Sequence, residues 1–130
     1  MLMAIDRVLV LAPHTDDGEF GCGGSVARFI GEGKEVYYAA FSTAEESVPD
    51  PWPKDILKTE VREATGRLGI PAENLMIFNF KVRELSYHRQ EVLEDLVKIK
   101  KEICPDLVFL PSPNDVHQDH STVSIEGVRA

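Results

Sequence analysis

Two cysteines, one tryptophan and no apolar run near the roughly 20 residues of a membrane span set the first limits on this chain. Cys22 and Cys104 lie far apart with no paired spacing, so neither a disulfide framework nor a cysteine metal cluster is indicated. Two lone thiols suit a reducing cytoplasm. The first residues do not follow the charged-then-apolar order of a signal peptide, because Asp6-Arg7 interrupts it. Basic residues are also scarce, 14 Lys and Arg against 22 Asp and Glu, for a net charge of −8. That balance argues against nucleic acid or an anionic membrane surface as partner. The one cationic cluster, Lys98-Lys100-Lys101, suits the solvated face of a helix.

What is present is ordinary for a globular protein: 43% hydrophobic and 28% charged residues in a chain of 130, enough for a single domain. Apolar runs alternate with amphipathic stretches. Strands are expected at Arg7–Ala12, Glu35–Ser42, Leu75–Phe80 and Leu107–Leu110. Helices are expected at Gly24–Gly31, Lys54–Leu68 and Arg89–Ile103, with another starting near Ser121. Thr43–Pro53 reads as a polar, proline-bearing loop of the kind that covers a site. Strand and helix in strict alternation imply a Rossmann-like, three-layer α/β/α fold around a mainly parallel sheet. An open four-stranded sheet with a late helix is small for such a fold, so the chain reads as a fragment or a naturally shortened form lacking a C-terminal part. Self-association through an uncovered edge or helix face is a corresponding expectation.

Two motifs carry the chemistry, each placed after an apolar strand, where open α/β sheets gather ligands. The first is Pro13-His14-Thr15-Asp16-Asp17-Gly18-Glu19, followed by the glycine-rich Gly21-Cys22-Gly23-Gly24. One imidazole and three carboxylates in six residues repel one another unless a cation or proton compensates. The second is Asn114-Asp115-Val116-His117-Gln118-Asp119-His120. His117 and His120 are three apart and can face the same way on a helical turn. Asp119 between them can accept a hydrogen bond from an imidazole and fix its tautomer. Three of the four histidines fall in these motifs; the fourth, His88, reads as a surface residue. Asp16, Asp17 and Asp119 also suit helix capping, which is the structural alternative for each motif alone. Together the motifs point to a divalent-metal site.

The pair resembles the LmbE-like/PIG-L family of metal-dependent de-N-acetylases, whose first motif stands here as Pro13-His14-Thr15-Asp16-Asp17 and whose second stands as His117-Gln118-Asp119-His120. Glu60-Val61-Arg62-Glu63-Ala64 with Leu68-Gly69-Ile70 resembles the helix between them. The resemblance runs from about Arg7 onward. It implies zinc, or another divalent transition metal such as iron(II), on His14, Asp17 and His120. It further implies Asp16 as general base, His117 as oxyanion stabiliser or proton donor, ideally as imidazolium, and Asp119 as the group that orients a histidine. Arg62 matches an arginine that in relatives approaches substrate or product acetate. Apart from the resemblance, Arg83 and Arg89 are candidates for gripping an anionic part of a substrate, and for all three arginines a surface ion pair or solvated helix face is the alternative. Thr15 stands where relatives carry proline.

The reaction so implied is hydrolysis of an N-acetyl group on an amino sugar or sugar conjugate by metal-activated water. A metal phosphoesterase would need further bridging carboxylates, for which only Asp115 and Glu19 remain. A nucleotide-binding module is disfavoured because the third glycine of its loop would fall at Val26 and carboxylates would repel pyrophosphate. A metal-binding remnant or oligomerisation module of the same fold is the remaining alternative.

Overall fold

The computed structural model describes residues 4–130. Four strands, β1 (Arg7–His14), β2 (Glu35–Ser42), β3 (Leu75–Ile77) and β4 (Leu107–Phe109), form one all-parallel sheet in the order β3-β2-β1-β4. The connecting helices are α1 (Asp17–Gly31), α2 (Ile56–Leu68) and α3 (Arg89–Ile103), and α4 (Gln118–Arg129) follows β4. The three-layer α/β/α reading of the sequence therefore holds.

Strand alternation explains the layers. Along β1, Val8, Val10 and Ala12 face one way and pack with Val36, Tyr38, Ala40 and the helix residues Val26 and Val61. Leu9 and Leu11 face the other way, against Phe41 and the Val92, Leu96, Ile99 and Ile103 stripe of α3, with Val123 of α4. A strand buried on both faces must be apolar throughout, which is why β1 and β2 read as unbroken runs. The chain crosses from β1 to β2 to β3 in one direction, then returns to place β4 on the far side of β1. Parallel crossovers keep one hand, so that reversal sends α1 and α2 to one face and α3 to the other. It also creates a crevice between the carboxyl ends of β1 and β4.

Several boundaries differ from expectation. The first helix begins at Asp17 rather than Gly24, with a kink at Cys22 (φ −145°, ψ 20°) inside the glycine segment. Glycine permits a turn without compelling one, and Asp17 and Glu19 favour the positive end of a helix dipole. The regular ladder of β3 stops at Ile77, although the amides of Phe78 and Phe80 still donate to Ala40 and Phe41 of β2. The last helix starts at Gln118 rather than Ser121, because the His117 side chain caps it by accepting from the Asp119 amide.

Candidate metal centre

The crevice between β1 and β4 brings the two motifs together. His14 ends β1, Asp17 opens α1, His117 caps α4 and His120 lies in its first turn. Asp17 Oδ2 accepts from the His14 amide at 2.8 Å, which ties the carboxylate to the strand end it follows. The same oxygen is 3.4 Å from His14 Nδ1 and 3.2 Å from His120 Nε2, and the two nitrogens are 3.3 Å apart. Bonds of 2.0–2.1 Å in a tetrahedron separate two ligand atoms by about 3.3 Å. The three atoms thus form a nearly equilateral face of the size one small divalent ion requires.

Two further carboxylates aim these histidines. Asp119, fully buried, takes the Nε2–H of His14 at 2.7 Å, leaving Nδ1 as the free lone pair. Asp115 takes the Nδ1–H of His120 at 2.8 Å, leaving Nε2 free. The Asp119 carboxylate also accepts the backbone amides of Arg83 at 2.6 Å and Leu85 at 3.2 Å. Asp119 therefore orients the histidine of the other motif, not either neighbour in its own. Asp115, read from the sequence only as a spare carboxylate, holds His120; its place five residues before His120 was the available signal.

His117 plays a different part. The three imidazoles can bring one nitrogen each within 4.8 Å of the others, so a three-histidine set is also possible. Nδ1 of His117 is, however, committed to the Asp119 amide at 3.1 Å. Burial, with His14 and His120 beside it, pushes its pKa below the ordinary imidazole value. A ring that accepts at Nδ1 carries its proton on Nε2 and can donate from there.

Burial opposes charge on His14, but the Asp17 and Asp119 carboxylates outweigh it and raise its pKa. Burial likewise works against the Asp17 carboxylate, yet the His14 hydrogen bonds and the charge of His120 hold its pKa low. Glu19, the third carboxylate of the first motif, stands apart: it lies half-buried beside Tyr38, and burial raises its pKa. Cys22 is half-buried and burial pushes its thiol up, away from reactivity.

Two concavities flank the trio. One, of about 280 Å³, is lined by His14, Asp16, Arg83 and His117 with Ala44, Ser47 and Leu57. Asp16 is exposed there, and the predicted covering loop supplies Ala44 and Ser47. The other, of about 400 Å³, is lined by Asp17, Asp115 and His120 against Phe20, Phe109 and Leu110. Of the predicted arginines, Arg83 faces the first cleft. Arg62 lines a separate concavity with Lys58, Ile77 and Asn79, away from the histidines. Arg89 Nε, on an exposed side chain, donates to Glu126 of α4 at 2.8 Å. Gly21, Gly23 and Gly24 lie within α1, so no phosphate-cradling loop follows β1.

A doubly wound α/β domain whose strand-end histidines and aspartates converge at the switch point is of the ligand-binding class that this topology supports. The chain belongs to the family described as PIG-L: GlcNAc-PI de-N-acetylase, whose profile matches residues 9–130. A probable N-acetyl-alpha-D-glucosaminyl L-malate deacetylase 2 of Bacillus cereus is 27% identical over 140 residues, covering 95% of this chain and 60% of that protein. The diacetylchitobiose deacetylase of Thermococcus kodakarensis is 27% identical over 135 residues, covering 97% and 49%. The N,N'-diacetylchitobiose deacetylase of Pyrococcus horikoshii superposes with a TM-score of 0.86 at 29% identity, over 96% of this chain and 49% of that one. The chain thus spans about half the length of the relatives it matches. Among the described residues no helix is long and apolar enough to cross a membrane.

Proposed function

We propose that this chain removes an N-acetyl group from an amino sugar or sugar conjugate, using a divalent metal ion, zinc or another transition metal such as iron(II), held by His14 Nδ1, Asp17 Oδ2 and His120 Nε2. One observation carries the reading: the three donor atoms lie 3.2, 3.3 and 3.4 Å apart, with both imidazoles aimed by carboxylates on their far nitrogens. Two imidazoles and one carboxylate make a donor set suited to a catalytic zinc-type ion with an open position. Such an ion, when bound, supplies Lewis acidity to an amide carbonyl and acidifies water.

The protein's own groups complete the chemistry. Asp16 follows the β1 end, is exposed to the cleft and lies next to Asp17 without sharing its contacts. It is placed to take the proton of the attacking water. His117 presents Nε2–H to the same cleft and donates to the carbonyl oxygen as charge develops. Water adds to the carbonyl carbon, the C–N bond breaks, the proton held on Asp16 passes to the departing nitrogen, and acetate and a free amine leave. Relatives named for deacetylating an N-acetylglucosaminyl malate and diacetylchitobiose support the substrate class.

The test is amine release from N-acetylglucosamine and its conjugates by the metal-loaded protein, with a chelator and Asp16→Ala as controls. Both should abolish turnover, while Asp16→Ala should retain stoichiometric metal. Turnover that survives chelation, or metal retained after His14→Ala and His120→Ala together, overturns the reading. The second reading, a metal-binding domain without turnover, is favoured by one feature: the Asp17–His120 side of the site opens into the apolar 400 Å³ concavity. Catalysis of this type gains from a dry cleft. Stoichiometric metal with no turnover of any conjugate would select it.

A further inference from the structure

We infer that Arg83 is a specificity residue, selecting substrates that carry an anionic group, phosphate or carboxylate, near the N-acetylated sugar. The inference deepens the deacetylase reading and rests on it for the identity of the sugar.

Arg83 is held in an unusual way. Its φ is +69°, a left-handed conformation that side chains other than glycine, asparagine and aspartate seldom adopt. Such a conformation persists where surrounding contacts over-determine it, and here the contact is explicit. The Arg83 amide donates to Asp119 Oδ2, the same oxygen that receives His14 Nε2–H. One buried carboxylate oxygen therefore sets both the orientation of His14 and the position of the Arg83 Cα relative to it. The next amide bond to Asp119, from Leu85, whose side chain is fully buried, anchors the segment on its other side.

The side chain is available. Arg28, Arg89 and Arg129 are each ion-paired, to Glu32 and Glu126, whereas no carboxylate lies within ion-pairing distance of Arg83 among the described residues. Its neighbours Lys81 and Glu84 pair with each other. The cleft that Arg83 lines also holds His14, Thr15, Asp16 and His117, and the rest of its wall is apolar or small: Ala44, Leu57 and Val82. Asp16 is the one carboxylate lining it. An acidic protein of net charge −8 repels anions in general, so a lone guanidinium in this cleft gives an anionic substituent one favourable berth. Guanidinium offers paired donors that match phosphate and carboxylate alike.

Binding isolates this role from turnover. Calorimetric titration of the metal-loaded protein would compare N-acetylglucosamine 1-phosphate, its 6-phosphate and its 1-O-carboxymethyl glycoside with the neutral 1-O-methyl glycoside. At least one anionic ligand should bind roughly tenfold tighter than the neutral one, the scale of a charge-assisted bond, and the phosphate and carboxylate arms identify the source. Arg83→Gly suits the positive φ and keeps the amide bond to Asp119, so the fold survives while the guanidinium is lost. In that variant the affinity ratio should fall to about one; in Arg83→Lys it should be intermediate. No anionic preference in the parent protein, or a preference that persists in Arg83→Gly through direct metal binding of the anion, overturns the inference. Failure of amine release with these affinities intact would instead count against the deacetylase reading alone.

Discussion

The Tyr38 hydroxyl of β2 is bonded to both sides of the junction that carries Asp17: it accepts from the Gly18 amide at 3.1 Å and donates to the Thr15 carbonyl at 3.0 Å. Burial pushes the phenol pKa far up, so the group stays a donor. A Cβ at Gly18 would stand 2.3 Å from Tyr38 Cε2, and Tyr38 is fully buried with no space to retreat. Gly18 is thus required by close approach. Gly18→Ala should cost about 1–3 kcal/mol by overpacking. Tyr38→Phe should cost about 1–2 kcal/mol through two lost bonds. Urea denaturation measures both, and metal affinity should fall in parallel because Asp17 is the next residue. Unchanged midpoints in both variants would show that the junction does not depend on this contact.

Asp119 and Asp115 should separate by what else they hold. Replacing either by alanine should weaken metal binding by about 10- to 100-fold, the usual cost of losing a carboxylate behind a ligand histidine. Competition with a chromophoric chelator gives the affinities. Asp119→Ala should in addition destabilise the fold by about 1–3 kcal/mol, since the Arg83 and Leu85 amides lose their acceptor. Asp115 is one-third exposed, and its loss should register mainly in metal affinity. Equal affinities for the parent and both variants would remove these carboxylates from the site.

Glu126 is fully buried on α4 and shared by two arginines that are each about half exposed, Arg89 at 2.7 Å and Arg129 at 2.6 Å. Either arginine alone leaves the carboxylate one partner. Removing both with Arg89→Ala and Arg129→Ala strands a buried charge and should cost about 3–5 kcal/mol, more than the sum of the single changes. Thermal unfolding of the four proteins in the cycle tests this. Simple additivity would mean that the two pairs act independently.

Asp106 ties the start of β1 to the segment before β4. Its Oδ2 accepts the Asp6 and Arg7 amides at 3.0 and 2.9 Å, and these bonds hold its pKa below the ordinary 3.8. A carboxylate depressed in the folded state contributes stability above its unfolded value and loses it as pH falls through the folded one. The Tm difference between parent and Asp106→Ala should therefore be constant above about pH 4–5 and vanish at lower pH. A difference that grows on acidification would contradict the assignment.

Much of this architecture is legible in the chain itself. Val8–Ala12 must be buried on both faces because it is apolar at every position, and the helical spacing of Val92, Leu96, Ile99 and Ile103 specifies one packed face. The two histidine–aspartate motifs are legible for a similar reason: their chemistry is local, and each follows a strand whose end a parallel sheet exposes. Helix starts were less legible, because glycines at 21, 23 and 24 are compatible with both a turn and a helix, and because the side chain of His117 caps α4.

Pairings across the sheet had no local signal. Asp119 meets His14 across 105 positions, the Arg83 amide meets Asp119 across 36, Arg62 lines a separate concavity and Arg89 pairs with Glu126. Residue type and strand period determined the layers and which histidines and aspartates stand at the two strand ends, since both follow from burial and from side-chain chemistry. Only the tertiary structure decided which carboxylate serves which imidazole, because that depends on the reversal of strand order that sets β4 beside β1.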